Sequence, residues 1–124
     1  MLLDKIKSLA KTYQAENVSV RRHLHAHPEL SYQEFETSKY VQATLTKIGI
    51  PFTVMATTGV LGIIEGKNPT KRVVALRADM DALPINEENK VDYISKNPGV
   101  MHACGHDVHT TILLLSLIHI SEPT

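Results

Sequence analysis

Residues 101–111, MHACGHDVHTT, place Cys104, the one cysteine of the chain, two positions before His106, with Asp107 and His109 following. Cysteinate and neutral imidazole are both good ligands for zinc or a similar transition ion. In an extended segment residues i and i+2 point to the same side, so Cys104 and His106 can converge on one ion. Gly105 between them permits a close backbone approach. The same thiol could be a nucleophile activated by a histidine, or a buried small residue beside surface histidines. Two ligand-type residues alone do not decide between these chemistries.

A second pair lies in LRADMDALP, residues 76–84, where Asp79 and Asp81 are again i and i+2. They stand at the end of an apolar stretch, where α/β domains place their sites. Two carboxylates on one side repel unless a cation or a shared proton lies between them. One of them could orient a ligand or help to polarise a bound water. The plainer reading is a pair of solvated acids that open a loop, with Arg77 as a partner. The metal reading uses both motifs, whereas a nucleophilic Cys104 leaves the aspartates idle, and the metal reading is therefore preferred.

RRHLHAHPE, residues 21–29, is a weaker candidate. On a helix His23 and His25 lie about 200° apart and cannot share an ion, although His23 and His27 could. Histidines at a helix end also simply complement its dipole, and no ligand is assigned here.

The elements that must carry these residues follow from periodicity. Leu3, Ile6, Leu9, Tyr13, Val20 and Leu24 recur at helical spacing, which predicts an amphipathic helix over residues 2–26, with a break near Asn17 and a stop at Pro28. Ser31 followed by Glu34 fits a capping box for a second helix running to Ile48, with Phe35, Val41, Leu45 and Ile48 on one face and Gly49 as its stop. PFTVMA, GVLGIIEG and RVVALRADM are short, β-branched and bounded by turn residues, which predicts three strands. TTG at 57–59 reads as a tight connection, and the continuous VVAL as a central strand covered on both faces. Residues 84–101 form a long loop, of a length that is usually functional or mobile. A further helix begins near Asp107 to His109. Helices, then strands, then a helix argue for an α/β layered domain.

The 124 residues suffice for one small domain, with 13 basic and 13 acidic side chains and so no basic field for nucleic acid or an anionic membrane. A single cysteine excludes an internal disulfide and suits a reducing compartment. Charges at Asp4, Lys5 and Lys7 interrupt any signal-peptide core, and ILLLSLIHI is about half the length of a membrane span. A cytoplasmic location is expected.

Taken together, RRHLHAHPELSYQE, TGVLGIIEG, VVALRADMDALPINE and GVMHACGHDVHTT resemble, in this order, the N-terminal part of the aminoacylase-like metallopeptidases. The similar branch holds hippurate hydrolase, indole-acetyl–amino acid amidohydrolases and N-acetyl-diaminopimelate deacetylase, and the resemblance covers residues 1–114. It implies the N-terminal portion of a layered, zinc-peptidase-like α/β catalytic domain. In the wider superfamily a His-x-Asp motif supplies one ligand and the acid that orients it. Here Asp79-Met80-Asp81 occupies that place, so Cys104 looks like the substitute ligand.

The resemblance thus implies Cys104 and His106 as metal ligands of a site for two divalent ions, manganese or zinc, and Asp81 as the catalytic-site acid that supports it. It further implies hydrolysis of N-acyl amino acids by metal-activated water, with the glutamate base, its partner acid and two further histidine ligands beyond residue 124. A smaller inserted domain, which usually mediates dimerisation, would also lie there. The alternative is a catalytically silent fragment that binds metal weakly or offers an interaction surface. Residues 115–124, LSLIHISEPT, depart from the family pattern and read as a non-native tail, with Glu122-Pro123 breaking the helix.

Overall fold

A computed structural model describes residues 1–121. The chain forms α1 (Leu2–Ala26), α2 (Phe35–Lys47), β1 (Phe52–Met55), β2 (Gly59–Gly62) and α3 (His106–Ser121). α1 runs without the break expected near Asn17 and ends, as expected, just before Pro28. Its apolar stripe is covered only in part: Leu3 and Ile6 are exposed, and Leu24, His25 and Ala26 are its buried residues.

The start of α2 differs from the expected capping box. Glu34 is the N-cap but its side chain makes no cap bond; instead it accepts the Thr58 hydroxyl at 2.8 Å and ties α2 to the β1–β2 turn. The Glu29 carboxylate takes over the capping role, accepting the Glu36 and Thr37 N–H groups at 3.2 and 2.6 Å and the Thr37 hydroxyl at 2.6 Å. A carboxylate there satisfies orphan donors and favours the positive end of the helix dipole. At the other end Gly49 adopts φ +78°, with Ile50 N–H donating to Leu45 O and Gly49 N–H to Thr46 O. This pair of bonds with a left-handed glycine is the Schellman ending. Val41 and Leu45 are buried on the expected face of α2 and Ile48 packs beside them, whereas Phe35 is 50% exposed.

β1 and β2 form an antiparallel hairpin in register Phe52↔Gly62 to Met55↔Gly59. Val41, Leu45, Ile50 and Leu114 form the core, with Val20, Phe52, Val60, Met80 and Leu117 against it. α3 lies on α1 and touches α2. It continues helically past residue 114, and the break expected at Glu122-Pro123 lies outside the described residues.

The third expected strand is not paired. Residues 72–80 form no strand and have no ladder partner among the described residues, and Val73, Val74 and Leu76 are 88%, 74% and 59% exposed. An apolar run fixes the tendency to be extended and covered; a strand also needs neighbours to bond. Just beyond it, isolated bridges join Leu30 to Ala82 in parallel and Leu83 to Met101 antiparallel. These hold the two ends of the 84–101 loop together and bring the Asp79/Asp81 segment beside the Cys104–His109 turn. The loop itself is sewn to the end of α1: Lys96 N–H donates to Ala26 O at 2.8 Å and the Asn97 amide to Pro28 O at 3.2 Å. No helix among the described residues is long and apolar enough to cross a membrane.

Candidate metal centre

His106 opens α3, and the chain reaches it through Gly105 at φ +130°, a conformation that side chains rarely adopt. A Cβ at Gly105 would meet nothing within 4 Å, so the constraint is one of backbone angle and not of space. The turn aims His106 at the aspartate segment. Its Nδ1 lies 2.9 Å from Asp81 Oδ1 and 3.0 Å from the Asp81 carbonyl. Both oxygens only accept, so Nδ1 donates. In the neutral ring Nε2 then carries a lone pair, and it lies 3.3 Å from Asp79 Oδ2.

A lone pair facing a carboxylate repels unless a proton or a cation lies between them. Two donors bound tetrahedrally at about 2.1 Å from one ion would stand about 3.4 Å apart, so the observed separation fits a shared ion. His109, one turn further along α3, donates from Nδ1 to Asp79 Oδ1 at 2.7 Å, and its ring stacks on His106 at 5.5 Å. Asp79, His106 and His109 bring ligand-type atoms within 4.8 Å of one another. Burial raises the Asp79 pKa, but the His109 hydrogen bond and the electrostatic influence of the two neighbouring imidazoles outweigh it and hold the carboxyl below its ordinary value. The Thr110 hydroxyl fixes this segment on α3 by donating to Asp79 O at 2.8 Å.

Of the residues singled out in the sequence, Asp81 and His106 are therefore brought together. Cys104 sits on the same turn, is exposed, and stands outside the Asp79–His106–His109 group. The residues that sequence reasoning left out are Asp79 and His109 as members of one cluster. The i, i+3 spacing of His106 and His109 on a helix is the signal that could have paired them.

The histidines of α1 divide. His23 stacks on Tyr40 at 4.1 Å and His27 Nδ1 donates to the His23 carbonyl at 2.7 Å. They line an open cleft of about 390 Å³ with Glu36 and Lys39, which shares no residue with the Asp79–His106–His109 cluster. His25 is not a surface histidine complementing a dipole, as expected, but is buried between two carboxylates, Asp107 and Glu87. His102 is buried as well, and its ring nitrogens find no hydrogen-bond partner among the described residues. Burial holds its pKa below the ordinary histidine value and keeps the ring neutral.

Comparison with known proteins matches this geometry to a family. Residues 75–122, which hold Asp79, Asp81, His106 and His109, match peptidase family M20/M25/M40. The chain belongs to that family. The structure of a Bacillus subtilis protein described as a dinuclear metal-binding peptidase from the M20 family superposes with a TM-score of 0.84 at 40% identity, over 90% of this chain and 31% of that one. An N-acyl-L-amino acid amidohydrolase of Geobacillus stearothermophilus is 51% identical over 115 residues, 92% of this chain and 31% of its own length. Thermostable carboxypeptidase 2 of Saccharolobus solfataricus is 50% identical over 115 residues, 91% of this chain and 29% of its own length. The chain spans about a third of these M20 relatives and carries part of the family's α/β catalytic domain.

Proposed function

We propose that the full-length protein carrying this chain is a metal-dependent amidohydrolase that cleaves the amide bond of N-acyl amino acids. The observation that supports this most directly is His106, held by Asp81 through Nδ1 while Nε2 faces the Asp79 carboxylate at 3.3 Å. The similarity to an N-acyl-L-amino acid amidohydrolase favours the substrate class. Cys104 and His106 would hold the metal, two divalent ions of manganese or zinc in the full-length protein. Asp79 and His109 offer ligand-type atoms within 4.8 Å of that of His106 and would be placed to join it. Such ions lower the pKa of a bound water and polarise the amide carbonyl.

What the residues of this chain contribute is orientation. Asp81 holds the imidazole of His106 in the tautomer that presents Nε2, a role carboxylates commonly play beside metal-bound histidines. Thr110 and His109 fix Asp79 against α3, so that the acidic segment and the His106 turn keep one geometry. The single thiol suits a cytoplasmic setting, where thiols stay reduced.

The test is hydrolysis of hippurate, N-acetyl amino acids and acylated dipeptides by the full-length protein with manganese or zinc. Turnover that disappears on chelation and returns with metal is expected. Cleavage of the dipeptides alone would shift the assignment to a carboxypeptidase, the activity named for one relative. A protein inert with every substrate and metal is not this enzyme. Cys104→Ala and His106→Ala are each expected to lower metal content, and a Cys104→Ala protein with full stoichiometry and affinity removes Cys104 from the ligand set.

A further inference from the structure

Directly beneath the His106 turn, four ionisable side chains with no assigned role meet. His25 Nδ1 lies 2.9 Å from Asp107 Oδ2, and its Nε2 lies 2.8 Å from Glu87 Oε1. The side chains of His25, Asp107 and Glu87 are only 4%, 1% and 2% exposed. Ionised carboxylates only accept, so both ring nitrogens of His25 donate. Arg21 Nε donates to the same Asp107 oxygen at 3.0 Å, so the guanidinium and the imidazole share one buried carboxylate. Buried ion clusters of this kind often hold no stability advantage over apolar packing, and what they fix is direction.

Three segments meet at that imidazole. Asp107 is the neighbour of His106, and its second oxygen accepts the Val108 N–H at 3.0 Å, so the carboxylate is anchored on the first turn of α3. Glu87 belongs to the 84–101 loop and its Oε1 also accepts the Ser95 N–H at 3.1 Å. Tyr93 of the same loop stands perpendicular to the His25 ring at 5.6 Å, with the guanidinium groups of Arg21 and Arg22 over its face at 5.3 and 4.6 Å. The end of α1, the long loop and the His106 turn are thus joined through one side chain that reaches none of the proposed ligands itself.

We infer that His25 is a positioning residue for the metal-bearing turn. By holding Asp107 it keeps His106 aligned with Asp81, and through Glu87 it couples the 84–101 loop to that turn. The inference rests on the metal reading proposed above.

The test uses the full-length protein and Co²⁺ alone as probe. His25→Gln keeps a polar side chain of similar size but cannot donate to both carboxylates in this geometry. Its far-UV circular dichroism is expected to match the wild type, while Co²⁺ affinity falls about tenfold to a hundredfold, the usual cost of losing an orienting partner. Amide exchange at Ser95 is expected to accelerate in the same variant. A merely structural histidine would lower the melting temperature and leave Co²⁺ affinity and its visible absorption unchanged; that result overturns the inference.

Should His25→Gln fail to fold, Glu87→Gln decides. It retains an acceptor for Ser95 and removes only the charge facing His25. Co²⁺ binding several-fold weaker than wild type is expected, and affinity within about twofold overturns the proposal. His27→Ala, at an exposed histidine two residues away, is expected to bind Co²⁺ as the wild type does, and an equal loss there also overturns it. A wild-type protein that takes up no Co²⁺ refutes the metal reading itself, an outcome separable from a wild type that binds and a His25→Gln protein that binds equally well.

Discussion

Asp81→Asn tests how much of the centre depends on orientation. Asp81 Oδ1 and the Asp81 carbonyl accept from His106 Nδ1 at 2.9 and 3.0 Å. A hydrogen bond to a charged group contributes about 1.5–3 kcal/mol and one between neutral groups about 0.5–1.5, so losing the charge removes roughly 1–1.5 kcal/mol. The Asp81 side chain is 29% exposed and the carbonyl bond survives the substitution, which places the effect at the low end. About 1 kcal/mol corresponds to roughly a fivefold loss of turnover. Asp81→Ala deletes the accepting side chain altogether and is expected to lose about tenfold to a hundredfold. Turnover of an N-acetyl amino acid at saturating metal is measured beside the metal content of each purified variant. The expected pattern is a larger fall in turnover than in metal content. If metal content falls in step with turnover, Asp81 supplies charge and not orientation. If both variants turn over as the wild type does, the Asp81–His106 bond has no part in the reaction.

Three further outcomes are expected. Glu29→Ala removes the acceptor for two N–H groups and a hydroxyl at the start of α2, and should lower unfolding stability by about 1–2 kcal/mol, read by denaturant titration. The pKa of His23 is lowered from 6.5, first by burial and then by the nearby positive charges of His27 and Lys96. Below that value the unfolded chain binds more protons at this site than the fold does, so stability present above the ordinary histidine range declines as pH falls through it. His23→Gln should therefore flatten the loss of stability between pH 7 and about 5, and equal slopes for variant and wild type would rule this contribution out. Residues 1–124 on their own are expected to show no amidase activity, a broad thermal transition and concentration-dependent association, because Val73, Val74 and Leu76 lie exposed. A sharp transition of a monomer in size-exclusion chromatography, or metal-dependent turnover by this chain alone, would contradict that.

What could be read in the sequence was local. The ends of α1 and α2 follow from Pro28 and Gly49, and the β1–β2 hairpin from two β-branched runs around a turn. The Asp81–His106 pair was legible through motifs that place both residues at one site. What was not legible depends on partners distant in the chain. Ser31 and Glu34 have the spacing of a capping box, but Glu29 is better placed to reach the Glu36 and Thr37 donors. VVAL has the pattern of a covered strand, but a ladder needs neighbours, and none pairs with it among the described residues. His25 finds its partners 62 and 82 positions away, and no local periodicity encodes that.

Gly105 has a consequence for chemical synthesis. Its φ of +130° is the mirror image of an ordinary extended angle, and a Cβ there would meet nothing within 4 Å. An L-residue is strained at that angle, whereas a D-residue finds it relaxed. A protein assembled by ligation with D-alanine at 105 should keep the turn that L-alanine distorts. Because open space surrounds the position, a larger D-residue bearing a chelator or a fluorophore could be carried there as well. The stereochemistry of one α-carbon would then provide an attachment point directly beside the His106 imidazole, with every genetically encoded side chain left in place.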